Sequence, residues 1–128
     1  MNRLAFDTAT AACMVALERV DGEVFETAPA PGRMFEQPAH TTELLPAIDG
    51  LLAQAGVGYA ELGAVIVGTG PGAFTGLRIG VATARAIATA RALPLIPVSS
   101  LAALIAGADA GDRPVFAVID AKRREFFF

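Results

Sequence analysis

The sequence predicts an α/β domain built on a mixed sheet, followed by the first hairpin of a second unit. Three strand patterns in a row open the chain, and from there onward helix patterns alternate with single strand patterns. With 128 residues, 54% of them apolar, the chain is long and apolar enough to build one full core. This composition excludes disorder as an interpretation of the whole chain.

The first elements are predicted to form a meander. Residues 4–7, 12–19 and 23–28 have strand patterns, and Asp21-Gly22 between the last two is a strong hairpin signal. The next segment, PAPGRMFEQPA at 29–39, contains three prolines and one glycine, which predicts a loop.

A helix is predicted from Thr42. Its apolar residues recur at helical spacing, namely Leu44, Ile48, Leu51, Leu52 and Ala55. Thr41 or Thr42 is expected to cap its start and Gly56 to end it. Pro46 is expected to bend or delay the first turn.

The following segments continue the alternation. AVIVG at 64–68 predicts a buried strand, 74–93 a long helix and PLIPV at 94–98 another strand. Ser99 or Ser100 is expected to cap a helix that runs to about Ala106.

The last segment predicts a boundary. GDRP is expected to act as a hinge, and VFAVID and EFFF are expected to form two strands after it. We therefore expect a first lobe at 1–110 and the start of a second lobe at 111–128.

The predicted order, β-β-β-α-β-α-β-α and then β-β, resembles the ribonuclease-H-like lobe that is used twice in the actin-like ATPase fold. Asp7 and Asp120 strengthen the resemblance, because each ends an apolar strand and opens a hairpin, in RLAFDTATAA and FAVIDAKRRE.

The glycine-rich stretch GTGPGAFTGLRIG at 68–80 raises the question of a phosphate site. A Walker loop needs a lysine directly after its last glycine, and the single lysine of the chain is Lys122. A dinucleotide fingerprint needs an acidic residue about twenty positions later, where this chain has LPLIPVSS. The turns after the two strand-ending aspartates contain no glycine. What is left is a candidate vestigial nucleotide site, with Asp7, Thr8, Gly70, Gly72 and Asp120. For Asp7 and Asp120 we favour the alternative that each accepts backbone hydrogen bonds in the turn that it opens.

Small residues recur every fourth position on the long helix, at Gly76, Gly80, Ala84, Ala88 and Ala92, so they share one stripe. A second stripe carries Ile79, Ala82, Ala86 and Leu93. The small stripe predicts a close approach of another backbone. Two alternatives stay open: that backbone belongs to a partner, or both stripes are buried inside the molecule.

Charge and cysteine content exclude several classes of protein. The net charge is -3 and the pI is about 5.0, which predicts no basic surface for holding nucleic acid without a partner. Cys13 is the single cysteine, so no disulfide forms within the chain. Asp7 interrupts the apolar core that a secretory signal would need, and Pro94 and Pro97 interrupt the longest uncharged stretch. A cytoplasmic protein without a membrane segment is expected.

Isolated polar residues offer further candidates. His40 is interpreted as a helper of the helix cap rather than a base or a metal ligand. A peptidase would have to combine His40 with Ser99, Ser100 or Cys13, but no G-x-S-x-G elbow is present, and the serines are interpreted as caps. Arg78 and Arg85 lie seven residues apart on one helix face, where they either meet acidic groups of a partner or are solvated.

Five segments of the sequence resemble the TsaB family, formerly YeaZ: LAFDTATAACMVAL, HTTELLPAIDGLL, GTGPGAFTGLRIGVATARAIA, PVSSLAAL and VIDAKRREFFF. The resemblance covers nearly the whole chain, and residues 70–80 are the most diagnostic. Members of that family usually continue into a full second lobe.

This resemblance implies a non-catalytic subunit for synthesis of N6-threonylcarbamoyladenosine at position 37 of tRNA. It implies pairing with the transferase TsaD, recruitment of the ATPase TsaE and contact with tRNA only through the complex. A homodimer of the isolated chain, formed through the same helices, is an alternative that stays open. No cofactor or metal is implied for this chain, since ATP and the metal belong to the partner subunits. The family's dimer surface maps onto Leu44, Ile48, Leu51, Gly76, Arg78, Gly80, Ala84, Arg85 and Ala88. A two-histidine metal site like that of TsaD cannot form with His40 alone.

Overall fold

A computed structural model describes residues 1–29, 32 and 39–128. Most of the loop predicted at 29–39 lies outside the described residues. The α/β class with a mixed sheet is confirmed.

The main sheet has five strands in the order β3-β2-β1-β4-β5. The strands are β1 (Asn2–Asp7), β2 (Met14–Glu18), β3 (Val24–Glu26), β4 (Leu62–Gly68) and β5 (Leu95–Val98). β1 pairs antiparallel with β2, which pairs antiparallel with β3 across the predicted turn. β1, β4 and β5 run parallel, so their carboxyl ends lie at one edge of the sheet.

In the described part of the chain, three α-helices connect or follow the strands: α1 (His40–Ala55), α2 (Phe74–Arg91) and α3 (Ser100–Ala106). A 3-10 turn, Tyr59–Glu61, precedes β4. The core lies between the sheet and the first two helices, where α1 packs on β2 and β3 and α2 packs on β4.

The end of the described chain forms a separate two-stranded sheet, β6 (Ile119–Asp120) with β7 (Phe126–Phe127), paired antiparallel. Both strands are much shorter than VFAVID and EFFF predicted. A ladder this short is marginal on its own, because an isolated hairpin buries little apolar surface.

The start of α1 differs from the prediction. The residue before the helix is Ala39, and no side chain caps the first turn. Thr42 Oγ1 donates to Ala39 O at 3.1 Å, which is the opposite sense to a cap. Capping by His40, Thr41 or Thr42 was therefore wrong. Pro46 lies inside the helix and does not delay it, whereas Gly56 ends it in the left-handed region at φ 67°, as predicted.

The small stripe of α2 faces the chain's own sheet. Gly76, Gly80, Ala84 and Ala88 are all buried. The same holds for Leu44, Ile48 and Leu51 on α1. These seven residues, which were predicted to form a partner surface, face the interior of this structure, because the backbone that α2 approaches so closely is that of the chain itself.

The opposite side of α2 is the exposed one. Arg78, Ala82, Arg85 and Ala86 lie there, with Ile79 partly buried. Among the described residues, no helix combines the length and the apolar character that a membrane crossing requires.

Replacing Ala84 by leucine should therefore destabilise the fold rather than only disturb a partner. Ala84 is 0% exposed, and forcing extra carbons into a packed site is expected to lower the free energy of unfolding by about 1–3 kcal/mol. Urea unfolding measures this change. The matched control Ala86→Leu, two residues along on the exposed side, should stay within about 0.5 kcal/mol of the parent; equal losses in both variants would contradict the assigned orientation of α2.

A second contact gives a pH prediction. The Tyr59 hydroxyl donates to Asp49 Oδ1 at 2.7 Å and ties the 3-10 turn to α1. Burial raises the pKa of the Tyr59 phenol far above its ordinary value, and the hydrogen bond to Asp49 and the charge of Asp49 raise it further.

The folded state thus holds the Tyr59 proton more tightly than the unfolded chain does. The free energy of unfolding should be unaffected below the ordinary tyrosine pKa and should fall as pH rises above about 10. Tyr59 is the single tyrosine, so ultraviolet absorbance of the phenolate reports it directly. Asp49→Asn should lower the pH midpoint of Tyr59 ionisation toward the value of free tyrosine. If the parent protein already ionises at the value of free tyrosine, the contact is refuted.

Candidate functional site

The residues singled out by the sequence meet where the parallel strands β1, β4 and β5 end. Asp7 is the last residue of β1, and the glycine loop 68–73 leads from β4 into α2. In open α/β sheets this edge is where ligands bind, so it is the first place to look for a site.

Both oxygens of the Asp7 carboxylate are engaged within the chain. Oδ1 accepts from the Ala9 amide at 2.7 Å, and Oδ2 accepts from Ser100 Oγ at 2.6 Å. Ser100 Oγ in turn accepts from the Gly70 amide at 3.1 Å. The expectation that Asp7 accepts backbone hydrogen bonds at its turn is confirmed.

Ser100 itself has a role that the sequence did not indicate. Its side chain is buried and links the end of β1 to the glycine loop. The helix cap is Ser99, whose Oγ accepts from the Ala102 amide at 3.3 Å. Capping by Ser99 is confirmed, and the interpretation of Ser100 as a cap is wrong.

The glycines let α2 and its preceding loop touch the turn after β1. A Cβ on Gly72 would collide with Ala9 O, one on Gly76 with Thr8 O, and one on Gly80 with Thr8 Oγ1. Each glycine therefore stands where a side chain would force the two segments apart.

Polar contacts lock this close approach. Thr8 is 1% exposed, and its Oγ1 donates to Gly76 O at 2.6 Å. The Ala73 amide donates to Ala9 O at 3.0 Å. The turn after β1 thus lies directly against the end of the glycine loop and the first turns of α2.

Two further amides of the loop also have partners. Those of Thr69 and Gly70 donate to Val98 O, at 2.9 Å, and to Ser100 Oγ. Gly70 adopts φ 88°, which a residue with a side chain rarely does. A phosphate site needs free amides around an open space, and the amides of Thr69, Gly70 and Ala73 are already engaged within the chain.

His40 joins the same junction from the start of α1. It is 3% exposed, and its ring Nε2 lies 2.7 Å from Thr10 O. Because a carbonyl only accepts, Nε2 carries a proton. The sequence signal was available: His40 precedes Leu44 and Ile48 at the same four-residue spacing, which predicts a buried face.

Asp120 does not share the contacts of Asp7. Its Oδ1 accepts from the Lys122 amide at 2.8 Å, and Lys122 Nζ lies 3.7 Å from its Oδ2. The expected turn contact of Asp120 is confirmed. Within residues 1–29, 32 and 39–128, no three His, Cys, Asp or Glu side chains cluster as metal ligands.

A second group of residues lies on the exposed sides of α1 and α2, and we call it the helix surface: Leu45, Arg78, Ala82, Arg85 and Ala86. Leu45 is 51% exposed, and α1 contacts α2. The Arg78 guanidinium lies over the exposed Phe74 ring, 5.3 Å from its centre. The surface thus combines apolar area with arginines.

Known proteins are similar to this chain both in sequence and in fold. Residues 35–128 match the family model described as TsaD, tRNA N6-adenosine threonylcarbamoyltransferase. The whole chain aligns with the tRNA threonylcarbamoyladenosine biosynthesis proteins TsaB of Haemophilus influenzae, at 38% identity, and of Escherichia coli K12, at 39%.

A solved structure is also similar. It is described as an uncharacterized protein with similarity to peptidase YEAZ from Pseudomonas aeruginosa, and it matches with a TM-score of 0.84 at 38% identity. The match covers 98% of this chain and 56% of that one. The chain spans 52% and 54% of the two curated relatives, so about half of their length.

A double-mutant cycle tests the link between Asp7 and Ser100. Asp7→Ala and Ser100→Ala should show a coupling energy of about 0.5–3 kcal/mol in urea unfolding, because they share a hydrogen bond. The matched pair Asp120→Ala with Ser100→Ala should be additive within about 0.5 kcal/mol. Additivity in the first pair would show that the link contributes nothing to stability.

Proposed function

We infer that this chain, which belongs to the TsaB (YeaZ) family, is a non-catalytic scaffold subunit for the synthesis of N6-threonylcarbamoyladenosine in tRNA. The relatives named above are TsaB proteins of this modification. The family model that matches most of the chain describes the transferase TsaD, which supports a relationship to the subunit that carries the chemistry.

The closed junction around Asp7 is the observation that carries the non-catalytic part of the proposal. Both Asp7 oxygens have partners, Ala9 lies against Gly72 of the glycine loop, and Thr8 lies against Gly76 and Gly80 of α2. A nucleotide or reacting group would have to displace these contacts before it could bind. The loop that looks like a ligand site therefore supports a structural role.

The helix surface is our proposed site of pairing with TsaD. It is exposed, whereas the small stripe is buried against the chain's own sheet. Arg78 and Arg85 are placed to meet acidic groups on the partner, with Leu45, Ala82 and Ala86 supplying apolar contact. Recruitment of TsaE, contact with tRNA through the complex and a cytoplasmic location belong to the same proposal.

The architecture of a full protein is likewise proposed. Residues 1–110 correspond to an actin-like first lobe and residues 111–128 to the start of a second lobe. The separate two-stranded sheet supports this division, as does the greater length of the relatives.

A single charge on the helix surface tests the pairing. Ala82→Glu should reduce co-purification with a TsaD homologue about tenfold or more, since an anion one turn from both Arg78 and Arg85 would pair with these cations and repel the acidic groups proposed on the partner. Pull-down with tagged TsaD measures it, with circular dichroism to show that the variant is folded. The control Val20→Glu changes a residue that is 73% exposed in the β2–β3 turn and should bind normally. Normal binding by the Ala82 variant would refute the proposed surface.

A further inference from the structure

The terminal hairpin carries a cluster of cations that occurs nowhere else in the sequence. Three of the ten basic residues, Lys122, Arg123 and Arg124, are consecutive, and no other two lysines or arginines are adjacent. All three are exposed, in the turn between β6 and β7. We call these three residues the basic turn. Because the net charge of the chain is -3, the basic turn is a local positive feature of an acidic molecule.

The carboxylates of the hairpin neutralise the basic turn only in part. Lys122 Nζ lies 3.7 Å from Asp120 Oδ2, and both side chains are more than half exposed. An exposed ion pair of this kind contributes little energy, so it leaves the cation able to change partners. The side chains of Arg123 and Arg124 form no salt bridge with any described residue. Their guanidinium groups are therefore available to an anion from outside the chain.

The backbone of the basic turn supplies further donors. Lys122 and Arg124 adopt φ 65° and 58°, whereas Arg123 between them has no positive φ. Residues other than glycine rarely adopt such values, and a change of hand between successive residues is how backbone nests aim amides at an anion. The Lys122 amide donates to Asp120 Oδ1 at 2.8 Å. The amides of Arg123 and Arg124 donate to no group among the described residues.

This set of donors matches phosphate groups in series. A guanidinium donates two parallel hydrogen bonds to phosphate oxygens, and a free amide adds another. Three neighbouring cations favour a ligand that carries several negative charges in succession, as the backbone of a nucleic acid does.

We propose that the basic turn binds the phosphate backbone of RNA. This inference rests on the proposed role in tRNA modification and deepens it, because it gives this chain a direct contact with tRNA within the complex. Three cations provide a weak site, which adds to the affinity of a complex and does not replace it. The basic turn shares no residue with the helix surface, so the two sites are tested separately.

Nuclear magnetic resonance of the isotopically labelled 128-residue chain tests the proposal, with an unmodified tRNA transcript as the probe at low ionic strength. The amide resonances of Arg123 and Arg124 should shift and reach saturation. The logarithm of the binding constant should fall with the logarithm of the salt concentration with a slope of about -2 to -3, since each of three phosphate contacts contributes about -0.7 to -0.9.

Removing two cations should weaken this binding. Arg123→Gln combined with Arg124→Gln should reduce the affinity for tRNA about tenfold or more and bring the salt slope to about -1, because one cation is left. The control Arg3→Gln combined with Arg91→Gln removes two charges from exposed positions outside the hairpin. It should bind tRNA within about twofold of the parent, since distant exposed charges are screened. The dispersion of the amide spectrum verifies that both variants fold.

Four outcomes would overturn the proposal. One is the absence of any shift at Arg123 and Arg124 when tRNA is added. Another is an equal loss of affinity in the control pair, which would attribute binding to the overall charge. A third is equal affinity for inorganic phosphate at the same phosphate concentration, which would show an adventitious ion only. The last is equal affinity for polyglutamate, which would identify an acidic polypeptide as the ligand.

The pull-down with TsaD distinguishes a failure of this inference from a failure of the proposed scaffold role. The variant with Arg123→Gln and Arg124→Gln should bind TsaD normally, because the helix surface is unchanged. Ala82→Glu should in turn bind tRNA within about twofold of the parent, because the basic turn is unchanged.

Discussion

The close approach of α2 to the turn at Thr8 and Ala9 is the constraint on which the rest of the molecule depends. Gly76 and Gly80 have no side chain where Thr8 lies against the helix, and Thr8 Oγ1 donates to the Gly76 carbonyl. Glycine inside a helix costs about 1 kcal/mol relative to alanine. Here that cost is offset by burial of Ala84 and Ala88 against the sheet and by a hydrogen bond that would otherwise not form.

The same contact explains why the glycine loop 68–73, whose sequence resembles a ligand-binding loop, instead connects parts of the chain to each other. Once α2 sits on the turn, the loop before it has to pass close to Asp7 and Ser100. Their side chains then satisfy each other and the Gly70 amide. Three strand ends and the starts of two helices are thereby fixed in one place, with little room for another molecule between them.

Local patterns predicted most of the elements. Asp21-Gly22 located the hairpin and Gly56 the end of α1, because turn and cap geometry depend on neighbouring residues. The direction of the small stripe was not predictable in this way, since both stripes of α2 are apolar and only the tertiary contact with Thr8 distinguishes them. Ser100 was missed for a similar reason, as it lies 93 residues from Asp7 and no spacing rule relates the two.

Buried and exposed residues alternate along α2, and this alternation determines which positions of the helix can be substituted during evolution. Gly76, Gly80, Ala84 and Ala88 are held by the chain's own packing, whereas Arg78, Ala82, Arg85 and Ala86 are exposed. Mutations at the second group alter what the helix presents while the lobe keeps its shape. Binding affinity for other molecules can therefore change during evolution without loss of folding stability. Related proteins can then bind different partners while they keep the same fold.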